Sequence, residues 1–225
     1  MVKICVSGCK GRMGSRIVEL SKDDAEIELV GSFDVGEDAS GALNSCDCLI
    51  EFTTPEATME HLEICEKRGI AMVIGTTGLS ETDQQKVAAA SKNIPVVLSP
   101  NMSIAVNLLF KLIADAAKVL GSEYAVEIIE AHHVNKKDSP SGTAKEMARI
   151  VRESKGSDID IPIESIREDD IVGEHTITFD SDVDTLEITH SAKTRDIFAR
   201  GALRAAKFIA GKAPGLYTMK DVLSL

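Results

Sequence analysis

A short apolar run leads into three evenly spaced glycines in the stretch Lys3-Ile4-Cys5-Val6-Ser7-Gly8-Cys9-Lys10-Gly11-Arg12-Met13-Gly14. The run predicts a buried strand, and the helical spacing of Ile17, Val18 and Leu20 predicts a helix after the glycines. Glycine permits a sharp turn and lets the backbone approach a pyrophosphate closely, while the N–H groups of the helix start favour phosphates. This order of elements is typical of a dinucleotide-binding unit.

Polar positions follow three further predicted strands at the same edge of the sheet. Asp34 ends the second strand, and an acid there accepts hydrogen bonds from the adenosine ribose hydroxyls. The loops at 75–78 and 99–102 follow the fourth and fifth strands, where open α/β sheets bind ligands. The predicted cofactor-binding residues are Gly8, Cys9, Lys10, Gly11, Arg12, Met13, Asp34, Gly75, Thr76, Thr77, Ser99, Pro100, Asn101 and Met102.

The residues after Asp34 favour NADH over NADPH. Val35 comes next and no lysine or arginine immediately follows, so a 2′-phosphate would meet a carboxylate and no cation. Lys10 or Arg12 could compensate by swinging in, so we expect NADPH to be usable and NADH to be preferred. No Gly-Lys-Ser/Thr ends the glycine loop, which excludes a P-loop.

The pattern of predicted secondary-structure elements changes after the first hundred residues. Before that point, short apolar strands are predicted at 3–7, 26–33, 48–52, 70–74 and 95–98, with helices between them. After it, an apolar helix at 104–120 and a strand at 124–130 precede strands at 161–166, 175–180 and 185–191 that alternate apolar and polar residues. The fold class is therefore α/β: a Rossmann-type doubly wound parallel sheet plus a second α+β domain with a mixed sheet. We expect domains at 1–102 and 103–195, with residues 196–225 returning to the first.

Composition excludes several classes of protein. Lys and Arg number 25 and Asp and Glu 36, a net charge of −11, which disfavours nucleic-acid partners and anionic membrane surfaces. No apolar stretch approaches the roughly 20 residues of a membrane span, and the start does not resemble a signal peptide. The five cysteines are interpreted as reduced thiols of a cytoplasmic protein. No metal site is predicted, because His132 and His133 would point oppositely on a strand.

Two histidines and two lysines cluster at 130–144 within this acidic chain. The cluster can concentrate an anionic ligand, and Ser141-Gly142-Thr143 lies at a predicted helix start, where free N–H groups bind carboxylates. Histidine and lysine can also supply protons. A solvated basic loop with an ordinary helix cap is the alternative. A serine hydrolase site using Ser141 fits poorly, since no nucleophile elbow is present.

Residues 8–14, 75–78, 99–103 and 130–144 together resemble the 4-hydroxy-tetrahydrodipicolinate reductase family, also called dihydrodipicolinate reductases. The resemblance continues through 171–176, 199–202 and 215–223, although the chain is shorter than others between Asp34 and Cys48. It implies a cytoplasmic, homotetrameric oxidoreductase of lysine and diaminopimelate biosynthesis that reduces 4-hydroxy-tetrahydrodipicolinate with NAD(P)H.

The resemblance also implies roles for individual residues. His132 and Lys136 would transfer protons. The substrate-binding residues would be His133, Lys136, Ser141, Gly142 and Thr143. Two other functions remain open at this point: another NAD(P)-dependent amino-acid dehydrogenase, and a non-enzymatic regulator that senses NADH.

Overall fold

The computed structural model describes residues 1–156 and 159–225. It divides into two compact units. The first consists of Met1–Ile104 with Asp196–Leu225, and the second of Ala105–Arg195.

The first unit contains a six-stranded sheet. Its strands are β1 (Val2–Ser7), β2 (Ile27–Phe33), β3 (Cys48–Glu51), β4 (Ala71–Ile74), β5 (Pro95–Leu98) and β10 (Gly215–Tyr217). The spatial order is β2-β1-β3-β4-β5-β10, and every neighbouring pair is parallel. Strand order reverses at β1, which creates a crevice at the carboxyl end of that strand. The predicted doubly wound parallel sheet is confirmed.

The described helices of this unit are α1 (Arg12–Ser21), α2 (Ala39–Ala42), α3 (Pro55–Arg68), α4 (Glu81–Ala90), α7 (Asp196–Ile209) and α8 (Met219–Leu223). The start and end signals that the sequence predicts are present in α3 and at the start of α4. Proline occupies the first turn of α3, and Gly69 ends that helix with φ +69°. Ser80 and Asp83 form a reciprocal capping box at the start of α4.

Apolar layers cover both faces of the parallel sheet. Ile4 and Val6 pack on one face with α1, α7 and α8, whereas Cys5 packs on the other face with α3 and α4. Burial on both faces explains why these strands are continuously apolar. Helix α7 lies close to the sheet because its buried positions are small. A Cβ on Gly201 would lie 1.7 Å from the carbonyl oxygen of Met102, so only glycine fits there.

The second unit contains a four-stranded mixed sheet, as predicted. Its strands are β6 (Ala125–His132), β7 (Ile163–Arg167), β8 (Glu174–Asp180) and β9 (Thr185–Ser191), in the order β7-β6-β8-β9. Strands β6 and β7 pair in parallel, whereas the β6–β8 and β8–β9 pairs are antiparallel. Helices α5 (Ile104–Leu120) and α6 (Gly142–Lys155) cover one face, where Ile128, Ile177 and Phe179 are buried. A 3₁₀ turn at Gly121–Glu123 joins α5 to the sheet.

The structure differs from the expectations in a strand boundary of this unit and in three short elements of the first unit. The first predicted strand of this unit ends at Glu130, but β6 continues through His132 because Ala131 and His132 pair with Ile166 and Arg167 of β7. Short elements α2, β10 and α8 were not predicted. Strand β10 has three residues and exists through its pairing with β5. Across the described part of the chain, no helix has the length and apolarity needed to cross a membrane.

Candidate active site

The glycine loop after β1 is a tight turn that tolerates no side chains at two positions. Gly8 has φ +69°, and the Gly11 N–H donates to the Gly8 carbonyl at 2.9 Å. A Cβ on Gly14 would lie 2.1 Å from that carbonyl oxygen. The loop therefore places α1 directly beside the end of β1 and leaves backbone N–H groups at the start of the helix.

Asp34 is held against this loop by backbone hydrogen bonds. Its carboxylate accepts from the N–H of Lys10 at 2.7 Å and of Val35 at 2.9 Å. These bonds, with a smaller contribution from the Lys10 charge, hold the pKa of Asp34 below its usual value. The half-buried carboxylate is therefore ionised near neutral pH and can accept hydrogen bonds from further donors.

A cleft of about 540 Å³ adjoins the loop. Gly8, Gly11 and Asp34 line it together with the aromatic rings of Phe33 and Phe52. The cleft therefore combines an apolar wall with an ionised acceptor and a glycine turn.

The other predicted cofactor residues lie elsewhere in the first unit. Gly75 packs on the Phe52 ring, since a Cβ there would be 2.2 Å from a ring carbon. Thr76 is buried, and its hydroxyl accepts from the Thr53 N–H at 3.1 Å. The Ser99 hydroxyl donates to the carbonyl of Asn101 at 2.8 Å.

The remaining predicted positions differ in exposure. Met102 is buried in the core, and Met13 packs against that core. Cys9 is half-buried, whereas Lys10, Arg12, Thr77 and Pro100 are exposed. None of these residues, nor Gly75, Thr76, Ser99 or Asn101, lines the 540 Å³ cleft.

Sequence reasoning missed His61, which lines this cleft, and a buried acid that contacts it. Glu51 is fully buried, and its carboxylate lies 2.7 Å from Nδ1 of His61. The Ser7 hydroxyl lies 3.4 Å from the same nitrogen, so the three residues do not form a serine–histidine relay. The signal in the sequence was the acid that closes an otherwise apolar strand.

A buried carboxylate organises the polar cluster of the second unit. Glu130 is fully buried on β6. One oxygen accepts from Nη2 of Arg167 at 2.7 Å and from the Ser141 N–H at 3.2 Å, and the other pairs with Nδ1 of His132. Burial would raise the pKa of Glu130, but the hydrogen bonds from Arg167 and His132 lower it to about 2.

The His132 ring is buried between Glu130 and a glycine. Burial lowers its pKa, and the Glu130 carboxylate opposes that effect. Nε2 is directed at Gly173, where a Cβ would lie 3.0 Å from it. The ring also meets His175 edge to face, with 5.1 Å between centroids.

His175 is a second buried histidine that sequence reasoning left without a role. Its Nε2 lies 3.2 Å from the Ser141 hydroxyl. Burial lowers its pKa to about 3, so the ring is neutral at physiological pH. Arg167 was also missed. For both His175 and Arg167, the only signal in the sequence is a polar residue on a strand that alternates apolar and polar positions.

The other predicted residues of this unit lie on the loop after β6 and at the start of α6. Nζ of Lys136 pairs with the Asp138 carboxylate at 2.8 Å. The backbone N–H of Lys136 donates to the carbonyl of His133 at 3.0 Å. Ser141 caps α6 by accepting from the Ala144 N–H at 3.2 Å. Gly142 is exposed and Thr143 half-buried in the first turn.

The described residues contain no group of three or more His, Cys, Asp or Glu side chains that could hold a metal ion.

Two family models together match nearly the whole chain. The model described as dihydrodipicolinate reductase, N-terminus, matches residues 2–102, and the model described as dihydrodipicolinate reductase, C-terminus, matches residues 105–223. The chain belongs to the dihydrodipicolinate reductase family. The predicted family and the predicted oxidoreductase class are thereby confirmed.

Curated relatives agree with the family over their full length. The 4-hydroxy-tetrahydrodipicolinate reductases of Geotalea uraniireducens and Geobacter metallireducens are each 42% identical to this chain, with complete coverage of both sequences. The first alignment spans 266 positions for 225 residues, so about 41 positions of this reductase alignment have no counterpart here.

Solved structures show the same fold. A dipicolinate-bound dihydrodipicolinate reductase from Paenisporosarcina sp. TG-14 superposes with a TM-score of 0.84 at 24% identity, covering 98% of each chain. A probable dehydrogenase from Thermotoga maritima gives 0.66 at 11% identity, covering 99% of this chain and 93% of that one.

Proposed function

We propose that this protein reduces 4-hydroxy-tetrahydrodipicolinate to tetrahydrodipicolinate with NAD(P)H, in the synthesis of diaminopimelate and lysine. One observation carries the proposal: Glu130 joins the His132 ring to the start of α6, so a proton-transfer group and a carboxylate-binding helix end belong to one cluster. The names of the full-length relatives supply the substrate.

The first unit would bind the dinucleotide. The glycine loop and the start of α1 suit its pyrophosphate, and the ionised Asp34 suits the ribose hydroxyls. The apolar wall of the cleft suits the adenine ring. When bound, the reduced nicotinamide supplies the hydride. Residues of the 75–77 and 99–102 loops are proposed to complete this site.

NADH is proposed to be the preferred cofactor, with NADPH usable. The side chain of Lys10 pairs with Glu37 at 2.6 Å, so the cation nearest to Asp34 is already engaged. A 2′-phosphate would have to compete with Glu37 for Lys10 and would meet two carboxylates.

The second unit would bind and protonate the dicarboxylate. Gly142 and Thr143 offer backbone N–H groups at the start of α6, where the helix dipole favours an anion. His133 and Lys136 are proposed to contact the substrate, and Lys136 adds positive charge. Ser141 is 2% exposed, so its contribution is to hold the helix start. Either His132 or Lys136 delivers the proton to the reduced ring.

We also propose a cytoplasmic homotetramer assembled through the mixed sheet. Strand β9 is an edge strand that is largely exposed, including Leu186. The face of β6 and β8 opposite the buried Ile128 and Ile177 carries Glu127, which is exposed, and Thr178, which is half-buried. Light scattering of the purified protein measures the subunit number.

A coupled assay tests the proposed activity. The condensation product of pyruvate and aspartate semialdehyde is supplied with NADH or NADPH, and cofactor oxidation is followed. We expect turnover with both, a lower KM for NADH, and inhibition by pyridine-2,6-dicarboxylate. An amino-acid dehydrogenase would be insensitive to that inhibitor. A regulator would bind NADH without turnover, and Lys136→Ala would leave its behaviour unchanged.

A further inference from the structure

The second unit contains a buried carboxylate that the proposed chemistry does not use directly. Glu130 has three hydrogen-bond partners on three different segments: His132 on its own strand, Arg167 on β7, and Ser141 at the start of α6. Its side chain has no exposed surface, and that of Arg167 is 19% exposed.

We propose that Glu130 is a positioning residue that fixes the tautomer and orientation of the His132 imidazole, so that Nδ1 carries the hydrogen and Nε2 is the nitrogen that exchanges a proton with the substrate. This inference rests on the proposed function for its final step, but its structural part concerns only residues of this unit.

The tautomer follows from the charge of Glu130. An ionised carboxylate has only acceptors, so the imidazole nitrogen facing it must be a donor. Arg167 keeps the carboxylate ionised by donating from its guanidinium, which is always charged. Neutral His132 therefore carries its hydrogen on Nδ1 and presents a lone pair on Nε2.

The surroundings of Nε2 leave that nitrogen room to react. The residue opposite it is Gly173, whose missing side chain avoids a contact at 3.0 Å. The described titratable and charged groups around the ring are Glu130, Lys136, Asp138, Arg167 and His175. Of these, only Glu130 hydrogen-bonds to the ring.

The same carboxylate also sets the position of the helix start. Its bond from the Ser141 N–H lies on the oxygen that Arg167 contacts, while His132 uses the other oxygen. A substitution of Glu130 should therefore have two separate effects. It should change the tautomer of His132, and it should have a smaller effect on the affinity for a ligand at the start of α6.

Nitrogen-15 NMR of histidine-labelled wild-type protein tests the tautomer directly. The His132 signals are assigned by their absence from a His132→Gln variant, at a pH where the ring is neutral. We expect the Nδ1–H form. Observation of the Nε2–H form would overturn the proposal, whatever substrate the enzyme uses.

Glu130→Gln tests the consequence for catalysis. The amide oxygen can still accept from Arg167 and Ser141, but its NH₂ group would donate to Nδ1 and move the imidazole hydrogen to Nε2. We expect kcat to fall by about 100-fold or more, as for loss of a general acid or base, and Kd for pyridine-2,6-dicarboxylate to change by less than about threefold. The pH-profile limb that reports His132 should move to lower pH, because the carboxylate that favours the protonated ring is lost.

Two further variants separate positioning from general damage. Glu123→Gln lies in the exposed 3₁₀ turn before the same strand and should retain wild-type kcat. Glu130→Asp keeps the charge, so it should retain the Nδ1–H signal and part of the activity. Wild-type kcat in Glu130→Gln would overturn the proposal. Wild-type protein with the Nδ1–H signal but no turnover of the condensation product would instead overturn the proposed function and leave the tautomer assignment standing.

Discussion

Lys10 and Glu37 form an ion pair beside Asp34, with 2.6 Å between Nζ and Oε1. The other oxygen of Glu37 accepts from the Asp34 N–H at 2.8 Å, so Glu37 joins the glycine loop to the end of β2. The pair engages a cation that a 2′-phosphate would otherwise attract. The expected preference for NADH can therefore be tested at Glu37, a residue that the sequence alone did not single out.

Glu37→Gln should improve the use of NADPH. The amide oxygen can still accept from Asp34, but Lys10 loses its charged partner and becomes available to the phosphate. We expect the KM for NADPH to fall by about two- to fivefold, the scale of an exposed ion pair, with the KM for NADH nearly unchanged. Glu63→Gln, which removes the exposed Glu63–Lys67 pair on α3, is the matched control. An unchanged KM for NADPH would show that Lys10 does not contact the phosphate.

Asp34→Ala should weaken the binding of NADH more than the binding of NADPH. The ribose hydroxyls of NADH lose an ionised acceptor, whereas a 2′-phosphate loses a repulsive charge. Isothermal titration with each cofactor measures the difference. Because Asp34 also accepts from Lys10 and Val35, the melting temperature of the variant is compared with that of Asp34→Asn, which keeps an acceptor. A larger loss of affinity for NADPH than for NADH would show that Asp34 does not bind the ribose hydroxyls.

Lys136→Ala should lower kcat by about 100-fold or more while the Kd for NADH changes by less than about twofold. The reason is the loss of a cation, and of a candidate proton donor, near the charge that develops on the substrate. Stopped-flow NADH binding and steady-state turnover separate the two effects. Lys137→Ala, at the next position and exposed, is the control. Undiminished turnover would remove Lys136 from the mechanism.

Gly14→Ala should destabilise the first unit and abolish tight NADH binding. The added methyl group would lie 2.1 Å from the Gly8 carbonyl oxygen, so α1 must move away from the loop. We expect a loss of about 1–3 kcal/mol or more in the free energy of unfolding, as for overpacking elsewhere. Ser15→Ala, on the exposed side of the same helix, should cost much less. Wild-type stability for Gly14→Ala would show that the loop is not a close contact.

His175 should make the protein less stable in mild acid. Its pKa is about 3 when folded and about 6.5 when unfolded, so between these values the unfolded chain binds the additional proton. The stabilisation is fully present above pH 6.5 and is lost as the pH falls towards 3. The contribution of His175 to the free energy of unfolding should therefore fall by about 2 kcal/mol between pH 7 and pH 5.

Denaturant titrations of wild type and His175→Gln measure this contribution. The variant should show a shallower decline between pH 7 and pH 5, whereas the two curves should run parallel above pH 7. Equal slopes in the acid range would show that His175 does not titrate in this way.

Local rules were sufficient for the longer helices and the first five strands of the first unit, but not for α2, β10 or α8. Continuous apolar runs, the proline that opens α3, the glycine that ends it and the capping box of α4 each act through nearest neighbours, so sequence determined them. The glycine loop and Asp34 were predictable for the same reason, because a strand, a turn and a helix place them at one sheet edge. The motif at 130–144 was also recognisable as a candidate binding segment from the sequence alone.

Only the tertiary structure decided which residues share the polar cluster of the second unit. Arg167 and His175 are 37 and 45 residues from Glu130 along the chain, and strand pairing between β6, β7 and β8 brings them together. The same pairing extends β6 through His132. Whether a buried acid stays ionised, and which ring nitrogen carries a hydrogen, depends on partners that the fold supplies from distant positions, and no local pattern encodes them.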